Sequence, residues 1–342
     1  VTSETAEFPW AAGSATGVGS MPGSDPLQAA RTVFDELPEL PYLPELPGRG
    51  PGADLIGRTA GLLTDLPAEI TPGGWRLAAR PGRDLRRAHD LLDHDLDTLE
   101  EVAQGYAGPL KVQAAGPWTL AASLELPASQ EPALTDHGAV ADLTQSLAEG
   151  IAAHVREVGR RVPGATVLLQ LDEPSLPAVL AGAVPSASGL RRLAPVEAGP
   201  AADGLRAIVQ AASAYSIVHC CAVSAPYKII LQSGARGISL DLSLLRPEDE
   251  DPFAEAVEAG AGVLAGGIQG VDAGRPEPRE LARLITGVWR RIGLSLARCT
   301  GQVVITPACG LAGASPERAT AVLAACREAA RILPELIEEE SP

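Results

Sequence analysis

Eight short apolar runs, each ending in small or polar residues and each followed by a longer amphipathic stretch, restrict the folds open to this 342-residue chain more than any other feature. They lie at 16–20, 40–45, 110–114, 166–172, 216–220, 237–241, 262–267 and 302–306. Several are too uniformly apolar for a sheet with one wet face, as expected of parallel strands covered by helices. The stretches at 25–37, 83–106, 135–162, 204–214, 252–259, 278–297 and 315–333 carry helical apolar spacing. The last opens Ser315-Pro316-Glu317, an N-cap followed by proline in the first turn. This alternation predicts an α/β fold, a single-domain (β/α)8 TIM barrel over residues 1–342, with a doubly wound open sheet as the alternative. Two stretches break the rhythm: 67–80, with Pro72-Gly73-Gly74, reads as a hairpin insertion, and 176–200 as a long Pro/Ala/Gly loop.

Charge narrows the partners. A formal net charge of −16 opposes nucleic acid and anionic membranes, which attract basic surfaces. No apolar run approaches the roughly 20 residues that span a bilayer. The N-terminal VTSETAEFPW has neither the basic nor the apolar region of a secretory leader. Five cysteines, an odd number with two adjacent, do not form a disulfide framework and suit a reduced, cytoplasmic setting.

In a parallel barrel the chemistry gathers where strands end. The fifth run ends in His219-Cys220-Cys221, in a chain with only five histidines and five cysteines. Packing explains one buried cysteine more easily than all three residues side by side. Residues i and i+2 of an extended strand share a side, so His219 and Cys221 can address one ion while Cys220 points elsewhere. Asp241 ends the sixth run and Cys309 follows the eighth. Thiolate, imidazole and carboxylate are the donors zinc prefers.

Taken in order, GVGSMP (17–22), GPWTL (116–120), LQLDEPSL (169–176), HCC (219–221), ISLDLS (238–243) and TPACGL (306–311) resemble the catalytic C-terminal barrel of cobalamin-independent methionine synthases. The resemblance spans nearly the whole chain. It implies a barrel related in fold to uroporphyrinogen decarboxylase, and zinc-dependent methylation of the homocysteine thiol to give methionine. His219, Cys221 and Cys309 fall on the family's zinc ligands, and Asp241 stands where the family has glutamate, one methylene longer. Val18-Gly19-Ser20 matches the segment beside the amino-acid carboxylate. Asp172, the expected catalytic carboxylate, matches the aspartate that meets the substrate ammonium, and Glu45 a second ammonium-binding acid.

Physical chemistry supports these assignments. A free thiol is mostly protonated at neutral pH, while the thiolate is the nucleophile and zinc binding removes the proton. Glycine at 19 lets backbone N–H groups approach a carboxylate, and buried acids hold an ammonium by charge-assisted hydrogen bonds. Plainer readings stand beside each: a turn at Gly19-Ser20, and a helix cap at Asp172-Glu173.

The departures from the family concern the methyl donor. The 342 residues hold one barrel, without the second that helps full-length members bind a folate polyglutamate. The family's Asp-Ile-His-Ser segment is here Gly267-Ile268-Gln269-Gly270, and glutamine has no proton to give near neutral pH. The donor is therefore open between methyltetrahydrofolate and methylcobalamin or a corrinoid protein. Two other functions fit the residues: a metal-free enzyme like uroporphyrinogen decarboxylase, and a non-catalytic zinc- or thiol-binding barrel.

Overall fold

The computed structural model describes residues 8–271, 274 and 276–340; residues 1–7, read above for a leader, lie outside the described residues. The expected hairpin insertion is present. Strands β1 (Ala68–Thr71) and β2 (Gly74–Leu77) pair antiparallel across the Pro72-Gly73 turn, which Gly74 leaves at φ +133°, a conformation glycine adopts without strain.

The main sheet holds six strands: β3 (Gly108–Ala115), β4 (Ala165–Asp172), β5 (Tyr215–Cys220), β6 (Gly237–Asp241), β7 (Gly262–Ile268) and β8 (Val303–Pro307). Each pairs parallel with the next in chain order, and the fold is α/β and TIM-barrel-like. The expectation of eight regular strands needs correction. Segments 16–20 and 40–45 form no ladder; their neighbourhood makes isolated parallel bridges, Ala15 to Ile305, Ser20 to Glu45 and Tyr42 to Lys111. Pro41 and Pro44 lack N–H donors, and Gly17 and Gly19 weaken strand pairing, so neither segment sustains regular pairing. The bridges still carry backbone bonds. Thr16 donates to the Ile305 carbonyl (3.0 Å), Glu45 to Gly19 (3.1 Å) and Leu43 to Lys111 (2.9 Å).

Period-2 alternation sorts the side chains into two cores. Leu110, Val112, Leu169, Leu171, Val218, Ile238, Leu240, Val263 and Ile305 join the large cluster with the helices. Leu168, Ile217, Leu264 and Val304 pack instead with Trp10, Leu40 and Tyr215, plugging the inner face at its N-terminal end. Toward the C-terminal end the inner positions turn polar, with Lys111, Gln113, Gln170, Asp172, His219, Ser239, Asp241 and Thr306, all buried. Buried polar groups demand partners, so this switch marks where the chain has traded packing for chemistry.

Helix starts follow the sequence signals. Asp25 accepts from the N–H of Leu27 and Gln28 ahead of helix Pro26–Glu36, Asp136 from Gly138 and Ala139, and Ser315 from Arg318. Among the described residues no helix is long and apolar enough to cross a membrane.

Candidate metal and amino-acid site

His219 ends up on the inner face because β5 alternates from Ile217 in the apolar plug. Its buried Nδ1 lies 2.8 Å from the Ser239 hydroxyl on β6, while its buried Nε2 has no partner. Cys221 lies just past the end of β5 and Cys309 just past β8, with sulfurs 3.6 Å apart although 88 residues separate them. One ligand atom from each of His219, Cys221 and Cys309 lies within 4.8 Å of the others. An orphaned imidazole nitrogen facing two sulfurs is a donor set suited to zinc, and three protein ligands leave a fourth position open. The Cys221 thiol and the His219 ring favour the thiolate at Cys309, and the same proton sharing pushes Cys221 up. Replacing Ser239 with alanine frees the His219 ring to turn, so metal affinity is expected to fall about 10- to 100-fold, read by competition with a chromophoric chelator.

Asp241, expected as a fourth ligand, is not part of that group. Its Oδ1 accepts from the Ser243 N–H (2.9 Å) and hydroxyl (2.6 Å), capping the turn Leu242–Leu244. Its Oδ2 accepts from Gln269 Nε2 (2.9 Å).

The candidate amino-acid residues converge beside the sulfurs. Leu311 N–H donates to the Ser20 carbonyl (2.8 Å), and a Cβ on Gly310 would strike the Ser20 hydroxyl, so the Cys309 loop lies directly on Val18-Gly19-Ser20. Among the described residues, the N–H groups of Gly19 and Ser20 have no hydrogen-bond acceptor. A Cβ on Gly19 would sit 2.9 Å from Gln113, which explains the glycine by close approach rather than by a turn. Asp172 is 6% exposed, accepts from Gln170 Nε2 at 2.6 Å and feels the charges of His219 and Cys309, which places it between the two halves of the site. Burial pushes its carboxyl up, and pushes that of Glu45 to about 7. One Glu45 oxygen is buried without a partner.

The neighbouring acid, Glu173, is fully engaged elsewhere. Both its oxygens accept N–H bonds, from Trp118 (2.9 Å) and Thr119 (2.8 Å), and Thr119 Oγ1 adds a third bond at 2.7 Å. It caps helix Pro117–Ser123, which precedes it in the chain, and the helix that follows, Leu176–Leu180, has no side-chain cap, so neither acid caps the following segment. Trp118 is a buried packing residue whose indole N–H donates to the Ala201 carbonyl (2.9 Å). Sequence reading missed Ser239, Gln170, Gln113 and Lys111. The signal was available: each lies an even number of positions from a residue already singled out or from another of the set, as in Ser239-x-Asp241, Gln170-x-Asp172 and Lys111-x-Gln113.

Comparison with known proteins adds the family. A search of curated proteins finds no match. Among solved structures, a B12-independent methionine synthase from Shewanella sp. W3-18-1, in complex with selenomethionine, superposes with a TM-score of 0.61 at 12% identity. That match covers 96% of this chain and all of the other, and at that identity it speaks for the fold. A mandelate racemase/muconate lactonizing enzyme homologue from Sorangium cellulosum matches at 17% identity, TM-score 0.28, over 62% of this chain and 50% of its own, and carries no argument. The family model described as "Cobalamin-independent synthase, Catalytic domain" matches residues 110–332, which run from within β3 through β8 and include all three residues of the His/Cys group. With well over half of its length matched, the chain belongs to the cobalamin-independent methionine synthase catalytic-domain family.

Proposed function

We propose that the protein is a zinc-dependent methyltransferase that methylates the thiol of homocysteine to give methionine, as one catalytic barrel over residues 1–342 working in a reducing cytoplasm. The observation that carries this reading is the meeting of His219, Cys221 and Cys309 with buried acids and free backbone N–H groups. His219, Cys221 and Cys309 hold the zinc, which when bound keeps an acceptor thiol deprotonated at neutral pH. With Cys221 and Cys309 among its ligands, a zinc held there would carry little net positive charge and would leave the acceptor sulfur electron-rich, suited to attack on a methyl group. Gly19 and Ser20 N–H groups receive the acceptor's carboxylate, and Asp172 and Glu45 its ammonium. Anchored at both groups, the amino acid presents its sulfur beside Cys309, whose loop lies on Ser20. A sulfur lone pair forms the new S–CH3 bond as the methyl–donor bond breaks, and that bonding pair leaves with the donor.

A folate amine needs a proton to leave, whereas a corrinoid does not. Gln269 supplies none and is engaged with Asp241, which favours methylcobalamin or a methylated corrinoid protein over methyltetrahydrofolate. The test is zinc per chain in protein purified without added metal, followed by methionine formation with each donor. Near-stoichiometric zinc and turnover with methylcobalamin are expected. Turnover with polyglutamyl methyltetrahydrofolate alone would overturn the donor assignment. Zinc and homocysteine binding without turnover on any donor would make the protein a binding module.

A further inference from the structure

Lysine occurs at two positions, Lys111 and Lys228, and Lys111 is the one fully buried, at 0% exposure. Burying an ammonium costs several kcal/mol unless it is well paired. Its partners are neutral oxygens: Nζ donates to the Val18 carbonyl at 2.8 Å and to Gln113 Oε1 at 3.3 Å, and lies 5.2 Å from the centre of the Tyr42 ring. Among the described residues it makes no direct ion pair, although Glu45 and Asp172 act on it through space. Gln170 Nε2 also donates to the Val18 carbonyl (2.8 Å), so that one oxygen is held by two donors while the same glutamine holds Asp172.

The peptide joining Val18 to Gly19 is planar and trans, as no cis bond occurs among the described residues, so the Gly19 N–H points opposite to the Val18 carbonyl. Whatever fixes that carbonyl aims that N–H, and a cation on the oxygen polarises the peptide and strengthens its N–H as a donor.

Resting on the proposed amino-acid pocket, we infer that Lys111 is a positioning and specificity residue of the acceptor site. Through the Val18 carbonyl it sets the N–H that receives the acceptor's carboxylate. With Glu45 and Asp172 left to meet an ammonium, that N–H suits the site to a zwitterionic α-amino acid thiol.

The test uses zinc-loaded protein and calorimetric binding of three thiols: L-homocysteine, 4-mercaptobutyrate, which lacks the ammonium, and 3-aminopropane-1-thiol, which lacks the carboxylate. Lys111→Met is expected to weaken homocysteine binding about tenfold or more while 3-aminopropane-1-thiol binds as well as before or better, with zinc content unchanged. Lys111→Gln, which keeps a hydrogen-bond donor without the charge, is expected to fall between wild type and Lys111→Met, and serves alone if the methionine variant does not fold. Equal weakening of all three thiols, or none, would overturn the inference and leave Lys111 a packing residue. Wild-type protein that binds none of the three would instead overturn the pocket itself.

Discussion

Cys309→Ala is expected to purify as a folded protein that holds almost no zinc and has lost about a thousandfold or more of its methyl-transfer activity. Cys309 is exposed, on the loop that follows β8, and its side chain has no part in the apolar clusters. The loop itself is held by backbone, from Leu311 N–H to the Ser20 carbonyl, which the substitution leaves in place. The site, by contrast, loses one of three donors and keeps only His219 and Cys221. Metal activation contributes several kcal/mol to a barrier, and each 1.36 kcal/mol is tenfold, hence the size of the loss. Elemental analysis, thermal unfolding and turnover check the three parts separately. Wild-type zinc and turnover in this variant would end the ligand assignment.

Asp172→Asn is expected to raise the KM for homocysteine by about a hundredfold or more, with zinc content and saturating turnover close to wild type. The shape of the side chain is kept, so Gln170 Nε2 still has an oxygen to meet in place of the 2.6 Å bond it makes to Asp172. The missing charge leaves a buried substrate ammonium with Glu45 alone. Removing one partner of a buried charge pair costs about 2–5 kcal/mol, and each 1.4 kcal/mol is tenfold in affinity. Asp172 belongs to neither the zinc donors nor the reacting atoms, so the effect belongs in KM. A fall in kcat with an unchanged KM would contradict the ammonium role.

The sequence made one half of this site easy to read. His219-x-Cys221 needs only the strand period, and the apolar runs that precede Asp172 and His219 place both at strand ends. The meeting of Cys309 with Cys221 is different. Nothing local in TPACGL states a 3.6 Å contact across 88 residues; the family resemblance suggested it, and the curl of the sheet, which brings the end of β8 to the end of β5 past β6 and β7, supplies the means. Asp241 shows the limit of the same reasoning. Its position at the end of β6 is legible, yet Ser243 and Gln269 bind both its oxygens, and the partner just past β7 is visible only once the sheet is assembled.

What the sequence determined by itself is the alternation of strands and helices, the apolar and polar faces of each strand, and the strand ends where reactive side chains gather. These follow from periodicity and residue chemistry, which belong to each segment alone. Only the tertiary structure decided that 16–20 and 40–45 bridge the sheet without joining it as strands, and that Glu173 caps a helix while Asp172 lies beside His219. It also decided that a lysine holds the Val18 carbonyl from inside the sheet. Each of those outcomes is a competition among hydrogen-bond partners brought together from distant segments. A buried polar group takes the partner that packing places within about 3 Å, and no local pattern records which one that is.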